Sequence, residues 1–222
     1  MKILISGDAH RWQLLQQKDF SQHQVFYFEN IADVKDWSQY DWAMDLSLDE
    51  EPGRLHYYLM YPELPLLAAR VKDSLSSLWP VIGKAREKNV FGANFLPGFI
   101  ESDLMEVSAA LNADTGKLKS LMERLGWAYD IVEDSVGLVR PRVVCMIINE
   151  AYMTAGEGTA TKEDIDISMK LGTNYPYGPF EWAEKIGIQN VYEVLQAVRE
   201  ATGDNRYLVS EALEQQFFES KK

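Results

Sequence analysis

Lys2-Ile-Leu-Ile5, running through Ser6 into Gly7-Asp-Ala-His-Arg-Trp12, is the stretch on which the fold turns. A short β-like run meets a glycine, and a short helix is expected over residues 11–18. Strand, glycine and helix in that order open a doubly wound α/β sheet, where a G-x-G-x-x-G dinucleotide fingerprint would sit. Here the pattern reads Gly7-x-Ala9-x-x-Trp12. The first glycine makes the tight turn, the second lets backbone approach a pyrophosphate, and the third lets the helix pack close to the strand. Ala9 is a mild loss and Trp12 a severe one, because an indole there should fill the space of a pyrophosphate. Glu29, 22 residues after Gly7, stands where an acid would hold a ribose hydroxyl. The residues by themselves favour a strand–turn–helix that holds no dinucleotide.

Beyond this stretch, β-like runs recur at residues 25–28, 42–46, 64–71, 90–95 and 127–132. Residues 113–125 place Leu118, Leu121, Met122 and Leu125 at helical spacing. Alternating strands and helices imply a mostly parallel sheet. From Val136 onward strand alternation stops. Residues 139–152 predict a long apolar helix, with Pro141 tolerable in its first turn. Thr161 is an N-cap candidate with Asp164 at the third helical position, Gly172 a C-cap candidate. Pro176-Tyr-Gly-Pro-Phe180 is a rigid turn into a further helix, and residues 191–202 form another before Gly203. The chain therefore divides into an α/β part, residues 1–135, and an all-helical part, residues 136–222.

Composition narrows the function. The 222 residues carry 22 Lys and Arg against 34 Asp and Glu, a net −12, which lacks the basic face that nucleic acid requires and repels anionic membranes. A single cysteine, Cys145, excludes a disulfide framework or a Cys-based zinc site. His10, His23 and His56 show no ligand spacing. No apolar stretch reaches transmembrane length and no leader pattern opens the chain, so a cytoplasmic protein is expected. Glu106, inside Leu104-Met-Glu-Val107, stands out as a carboxylate in an apolar run, costly unless paired or functional; the plainer alternative places it at a helix start, where an acid suits the dipole.

The second half resembles the C-terminal domain of the 3-hydroxyacyl-CoA dehydrogenases. Asn149-Glu-Ala151, Glu157-Gly158, Thr161-Lys-Glu-Asp-Ile-Asp166, Met169-Lys-Leu-Gly172, Pro176-Tyr-Gly-Pro-Phe-Glu181, Ile186-Gly187 and Thr202-Gly-Asp-Asn-Arg-Tyr207 carry the likeness in order and spacing. A weaker likeness extends backward through Phe91-Gly-Ala-Asn-Phe-Leu-Pro-Gly98 and Leu104-Met-Glu-Val107 to residues 41–49, with the family's missing length lying between Phe28 and Asp41. The resemblance implies a shortened Rossmann-like parallel sheet domain, an all-α C-terminal domain, NAD as the family's cofactor, and dimerisation through the helical domain. It also implies a site in which a His takes the substrate hydroxyl proton and a Glu twelve residues later orients it. On this sequence the Glu position is Glu106 and the His position is Asn94. The family's substrate-binding Asn falls on Pro141 and its active-site Ser on Asp73.

An amide cannot take a proton near neutral pH, and proline has neither side-chain amide nor backbone N–H. With Gly7, Ala9 and Trp12 a degenerate glycine loop, four parts of one machine are replaced together. The expectation is a family member without NAD binding, acting as a binding or assembly protein and homodimeric through residues 137–217, with an acyl-CoA or a sister enzyme as partner. The alternative is an active oxidoreductase on a 3-hydroxyacyl-CoA or related hydroxy acid, with His10 or His56 reaching the site and Glu106 or Asp73 serving as base.

Overall fold

A computed structural model describes residues 1–78, 80 and 89–221. The chain forms two compact units, Met1–Leu138 and Val139–Lys222.

The first unit is built on a seven-stranded sheet of order β2-β1-β3-β4-β5-β6-β7. The strands are β1 (Lys2–Ser6), β2 (Gln24–Phe28), β3 (Trp42–Asp45), β4 (Leu66–Ala69), β5 (Val90–Ala93), β6 (Leu104–Ala109) and β7 (Ala128–Glu133). β1 to β5 are parallel, β6 is antiparallel to β5, and β7 is parallel to β6. Central parallel strands are covered on both faces, so they read as unbroken apolar runs. Ile3 and Ile5 enter one core with Met44, Leu67 and Phe91, while Leu4 enters the other with Trp37, Ala43 and Tyr58. The usual doubly wound order sets two strands outside β1 on this side. Here only β2 lies there, and residues 29–41 lead from it straight to β3. The short length between Phe28 and Asp41 is thus one absent edge strand.

This unit also holds α1 (Ala9–Leu15), α2 (Leu55–Leu59) and α3 (Thr115–Leu125), the first two beside the site. Asp114 caps α3, and Leu118, Leu121, Met122 and Leu125 are its buried face. Burying one such side chain contributes roughly 1.5–3 kcal/mol. Gly126, at φ 70°, ends the helix in the left-handed region where glycine is favoured.

The second unit holds α4 (Arg140–Gly156), α5 (Lys162–Thr173), α6 (Pro179–Ile186), α7 (Ile188–Thr202) and α8 (Glu211–Glu219). α4 packs against the other four. Pro141 lies in its first turn, where the missing N–H leaves no bond broken. Thr161 accepts from the Asp164 N–H and caps α5. The helix passes through Gly172 and ends at Asn174, φ 56°, so the expected glycine cap gives way to an asparagine, the other residue that tolerates this geometry. α4 is not buried all round within one chain: Cys145, Ile148 and Tyr152 are covered, whereas Val143 is 51% exposed.

Candidate functional site

The apolar run around Glu106 is a strand, β6, and not the start of a helix. Glu106 lies in the β5–β6 ladder region opposite Asn94, which follows β5. The Asn94 N–H donates to the Glu106 carbonyl at 2.9 Å. Its side-chain Nδ2 donates to Glu106 Oε2 at 3.4 Å, and Asn94 Oδ1 accepts from the Leu96 N–H at 3.3 Å. Both residues are at most 2% exposed. Two residues twelve apart in sequence are thus brought together as an amide–carboxylate pair. This arrangement can orient a polar group, but its Asn member cannot accept a proton.

The carboxyl ends of β1, β3 and β4 form a second cluster. In open α/β sheets ligands bind outside these ends, where the strand order reverses, here between β1 and β3. Gly7 makes the tight turn with φ 121°. A Cβ on it would sit 2.7 Å from Ser47 Oγ and 2.9 Å from the Ser47 nitrogen. Ser47 Oγ accepts from the Asp8 N–H at 2.8 Å. The Asp8 carboxylate accepts from the Arg11 N–H at 2.7 Å, capping α1 with the chain's own negative charge. The Trp12 ring stacks on Tyr27 at 5.2 Å, and the Tyr27 hydroxyl donates to the Gly7 carbonyl at 2.8 Å. Ser47 and Asp8 stand directly at the turn. Glu29 is exposed just beyond β2.

Around that turn stand two clusters of charge, the first partly exposed and the second buried. Arg11, 6% exposed, reaches Glu50 with two nitrogens at 3.0 and 2.6 Å and also donates to the Leu46 carbonyl. Lys72 reaches the same carboxylate at 2.6 Å. Burial works to raise the Glu50 pKa, but Arg11 and Lys72 together outweigh it and hold the carboxyl below its ordinary value. Behind them Asp45 is fully buried. It accepts from Arg54 Nε at 3.2 and 3.0 Å, from the Tyr58 hydroxyl at 2.8 Å and from the Ser47 N–H at 2.9 Å. Burial pushes the Asp45 carboxyl up, against the opposing pull of Arg54 and these donors. Arg54 also donates to Ser6 Oγ at 2.6 Å, tying β1 to this cluster.

Asp73 pairs with Arg70 at 2.9 Å and accepts from Ser77 Oγ at 2.7 Å. Among the described residues, none of the three histidines bonds Asn94 or Glu106: His23 meets the Arg124 carbonyl, His56 lies edge-on to Tyr57, and His10 is exposed. No group of three or more acidic, His or Cys residues is placed to hold a metal among the described residues. No described helix is long and apolar enough to cross a membrane.

A model of the 3-hydroxyacyl-CoA dehydrogenase C-terminal domain matches residues 137–222. A 3-hydroxybutyryl-CoA dehydrogenase of Clostridioides difficile is 38% identical over 214 residues, covering 93% of this chain and 73% of that protein. The chain belongs to the 3-hydroxyacyl-CoA dehydrogenase family. Other matches are partial: a 3-hydroxyadipyl-CoA dehydrogenase of Escherichia coli is 36% identical over 102 residues, which is 45% of this chain and 22% of that protein. A 3-hydroxybutyryl-CoA dehydrogenase of Bradyrhizobium diazoefficiens is 30% identical over 55% of this chain and 43% of its own length. The chain thus matches less than half of several relatives. The fold is that of the (S)-3-hydroxybutyryl-CoA dehydrogenase of Ralstonia eutropha, with a TM-score of 0.76 at 18% identity over 99% of this chain and 94% of that one.

Within the second unit, the residues that carry the family likeness hold the fold together. Asn149, 3% exposed, donates to the Leu208 carbonyl at 2.9 Å and accepts from the Ser210 N–H at 2.8 Å. Asp166 accepts from the Phe180 and Glu181 N–H groups at 2.8 and 3.2 Å, receiving the start of α6. Gly178 is required there, because a Cβ would fall 2.3 Å from Asp166 Cγ. Sequence reading missed Asp45, Arg54, Arg11 and Glu50. The signal for Asp45 was present, since it too is an acid within an apolar run, Trp42-Ala-Met-Asp-Leu46.

Proposed function

We propose that this 3-hydroxyacyl-CoA dehydrogenase family protein has given up NAD-dependent dehydrogenation and works as a binding or assembly protein in a reducing compartment such as the cytoplasm. The observation that carries this reading is the Asn94–Glu106 pair. It keeps the spacing and contact of a base and its orienter while the base position holds an amide, 3.4 Å from the carboxylate. Loss of a general base alone lowers rate by about 10²–10⁴-fold.

The cofactor end supports the same reading. A pyrophosphate at a glycine turn needs bare backbone N–H groups and a helix terminus open to negative charge. At this turn the Asp8 carboxylate caps the helix, Ser47 crowds Gly7, and Glu50 already takes the nearby cations Arg11 and Lys72. The residues present therefore do not suit a dinucleotide, and no step is assigned to one. Pro141, at the family's substrate-binding Asn position, offers no amide. The ligand that remains in keeping with the relatives' names is an acyl-CoA, held without turnover. A homodimer through the helical unit, supported by the exposed apolar side chains of α4, is the proposed assembly.

The decisive experiment is a titration of the full chain with NADH, followed by nucleotide fluorescence. No saturable binding below about millimolar concentration is expected, some 4 kcal/mol at most. Micromolar binding would overturn the reading in favour of an oxidoreductase with displaced catalytic groups, which the dehydrogenase names of the relatives favour.

A further inference from the structure

The absent edge strand leaves β2 as the last strand of its sheet, and its outer side can be read from the ladder to β1. The Gln24 N–H donates to the Met1 carbonyl at 2.9 Å, and the Phe28 carbonyl accepts from the Gly7 N–H at 3.2 Å. Gln24 and Phe28 thus face β1, and by the two-residue period Phe26 does too. Val25 and Tyr27 turn their backbone N–H and C=O groups away from the sheet. Among the described residues no backbone or side-chain group bonds those four groups.

Natural edge strands are blunted by lysine, proline, a bulge or extreme shortness. β2 has none of the first three: Gln24-Val-Phe-Tyr-Phe28 carries no charge and no proline, and its register with β1 runs from Lys2↔Gln24 to Ser6↔Phe28 without interruption. It is rich in the β-branched and aromatic residues that pair well across strands.

We propose that the outer edge of β2 is a self-association surface, on which a second copy of this chain lays its own β2 antiparallel about a two-fold axis at Phe26. The occupant follows from the symmetry of the strand's open groups and from its lack of charge. The outward residues, Val25 and Tyr27, sit equidistant from Phe26, so each meets the partner's other one and both exchange N–H···O=C bonds. That register gives four hydrogen bonds and satisfies all four open groups. Two copies carrying −12 each repel, but this window sets no like charges opposite one another, facing Val25 to the partner's Tyr27 and Phe26 to the partner's Phe26. Five residues a side fall short of the roughly 1,200–2,000 Å² of a standard stable interface. The pairing is therefore reversible and concentration-dependent, and it is separate from any contact through residues 137–217.

Hydrogen exchange on the full chain tests it, at about 10 and about 500 µM protein. The Val25 and Tyr27 amides should exchange about tenfold more slowly at the higher concentration. Val25→Pro removes one outward N–H, a change an edge strand tolerates. It should abolish the concentration-dependent protection of Tyr27 and lower the light-scattering mass at high concentration. Val25→Thr keeps the N–H and should leave both as in wild type. Equal exchange of the two wild-type amides at both concentrations overturns the proposal, as does an unchanged mass in a folded Val25→Pro protein. The wild-type comparison decides by itself if that variant does not fold. Because the readout lies on residues 25 and 27, it stands apart from NADH binding and from dimerisation through the helical unit.

Discussion

Replacing Arg54 with Met keeps most of the side chain's apolar stem and removes its charge. Asp45 is then left at 0% exposure with two of its donors, the Tyr58 hydroxyl and the Ser47 N–H. Removing one member of a buried pair costs about 3–5 kcal/mol, because the remaining charge is stranded in a poor solvent. Two surviving hydrogen bonds place the expected loss near the lower end, about 3 kcal/mol, out of a total stability of about 5–15. The contact from Arg54 to Glu51 adds little, since that carboxylate is 62% exposed. The loss should also depend on pH. Burial already raises the Asp45 carboxyl, and losing Arg54 raises it further. An acid whose folded pKa lies above its unfolded one destabilises the fold at high pH. The penalty fades as pH falls through the raised value toward the ordinary carboxylate range, where the native state takes up the proton. Five of the six tryptophans, Trp12, Trp37, Trp42, Trp79 and Trp127, belong to the first unit's sequence. Urea unfolding followed by tryptophan fluorescence, at about pH 7 and about pH 5, therefore reads the effect there. A loss under about 1 kcal/mol at neutral pH, or one equal at both pH values, would refute the reasoning.

Asn94→His should restore a His–Glu106 pair without restoring a dehydrogenase, because Pro141 and the Asp8-capped turn remain; acetoacetyl-CoA reduction at about 1–10³ per second would contradict this. Val143→Glu, on the exposed side of α4, should shift light scattering from twice 25.4 kDa toward 25.4 kDa while circular dichroism stays unchanged. Glu50→Gln should lower stability by about 1 kcal/mol at neutral pH. Because Arg11 and Lys72 hold the Glu50 carboxyl below its ordinary value, that difference is fully present above the ordinary carboxylate range and is lost as pH falls through the lowered value, which paired denaturant titrations would detect.

The strands of the parallel sheet were legible because interior strands are apolar on both faces, as Ile3, Leu4 and Ile5 show. β6 was harder. Glu106 interrupts its apolar run, and a lone acid marks a helix start as readily as a buried pair. The Asn94–Glu106 pairing was reachable only through the family resemblance, since nothing local says that a residue just past one strand will meet a residue within the next. The charged clusters at the strand ends stayed hidden for another reason. Arg11, Arg54 and Lys72 each look like ordinary surface charge along the chain, and only the convergence of β1, β3 and β4 takes them out of water. At the Gly7 turn the sequence argument pointed to the right place but could name only the groups that are near in sequence. Trp12 stacks on Tyr27, and Ser47, 40 residues further along the chain, stands against Gly7 as well.

The hold of Asn149 on residues 208 and 210 bears on how the chain is made. Domains form in order as a chain emerges during synthesis, and the first unit ends at Leu138. The second unit cannot close in the same progressive way. Its central helix, α4, comes out first, yet the buried amide in the middle of that helix has its partners at Leu208 and Ser210, 59 and 61 residues further along the chain. Until they arrive, the Asn149 amide has only water to bond, and burying it beside the apolar side of α4 would leave it unsatisfied. A chain stopped before Leu208 would lose both partners of that amide, and the middle of α4 would keep a polar group that no other described residue of the unit is placed to receive.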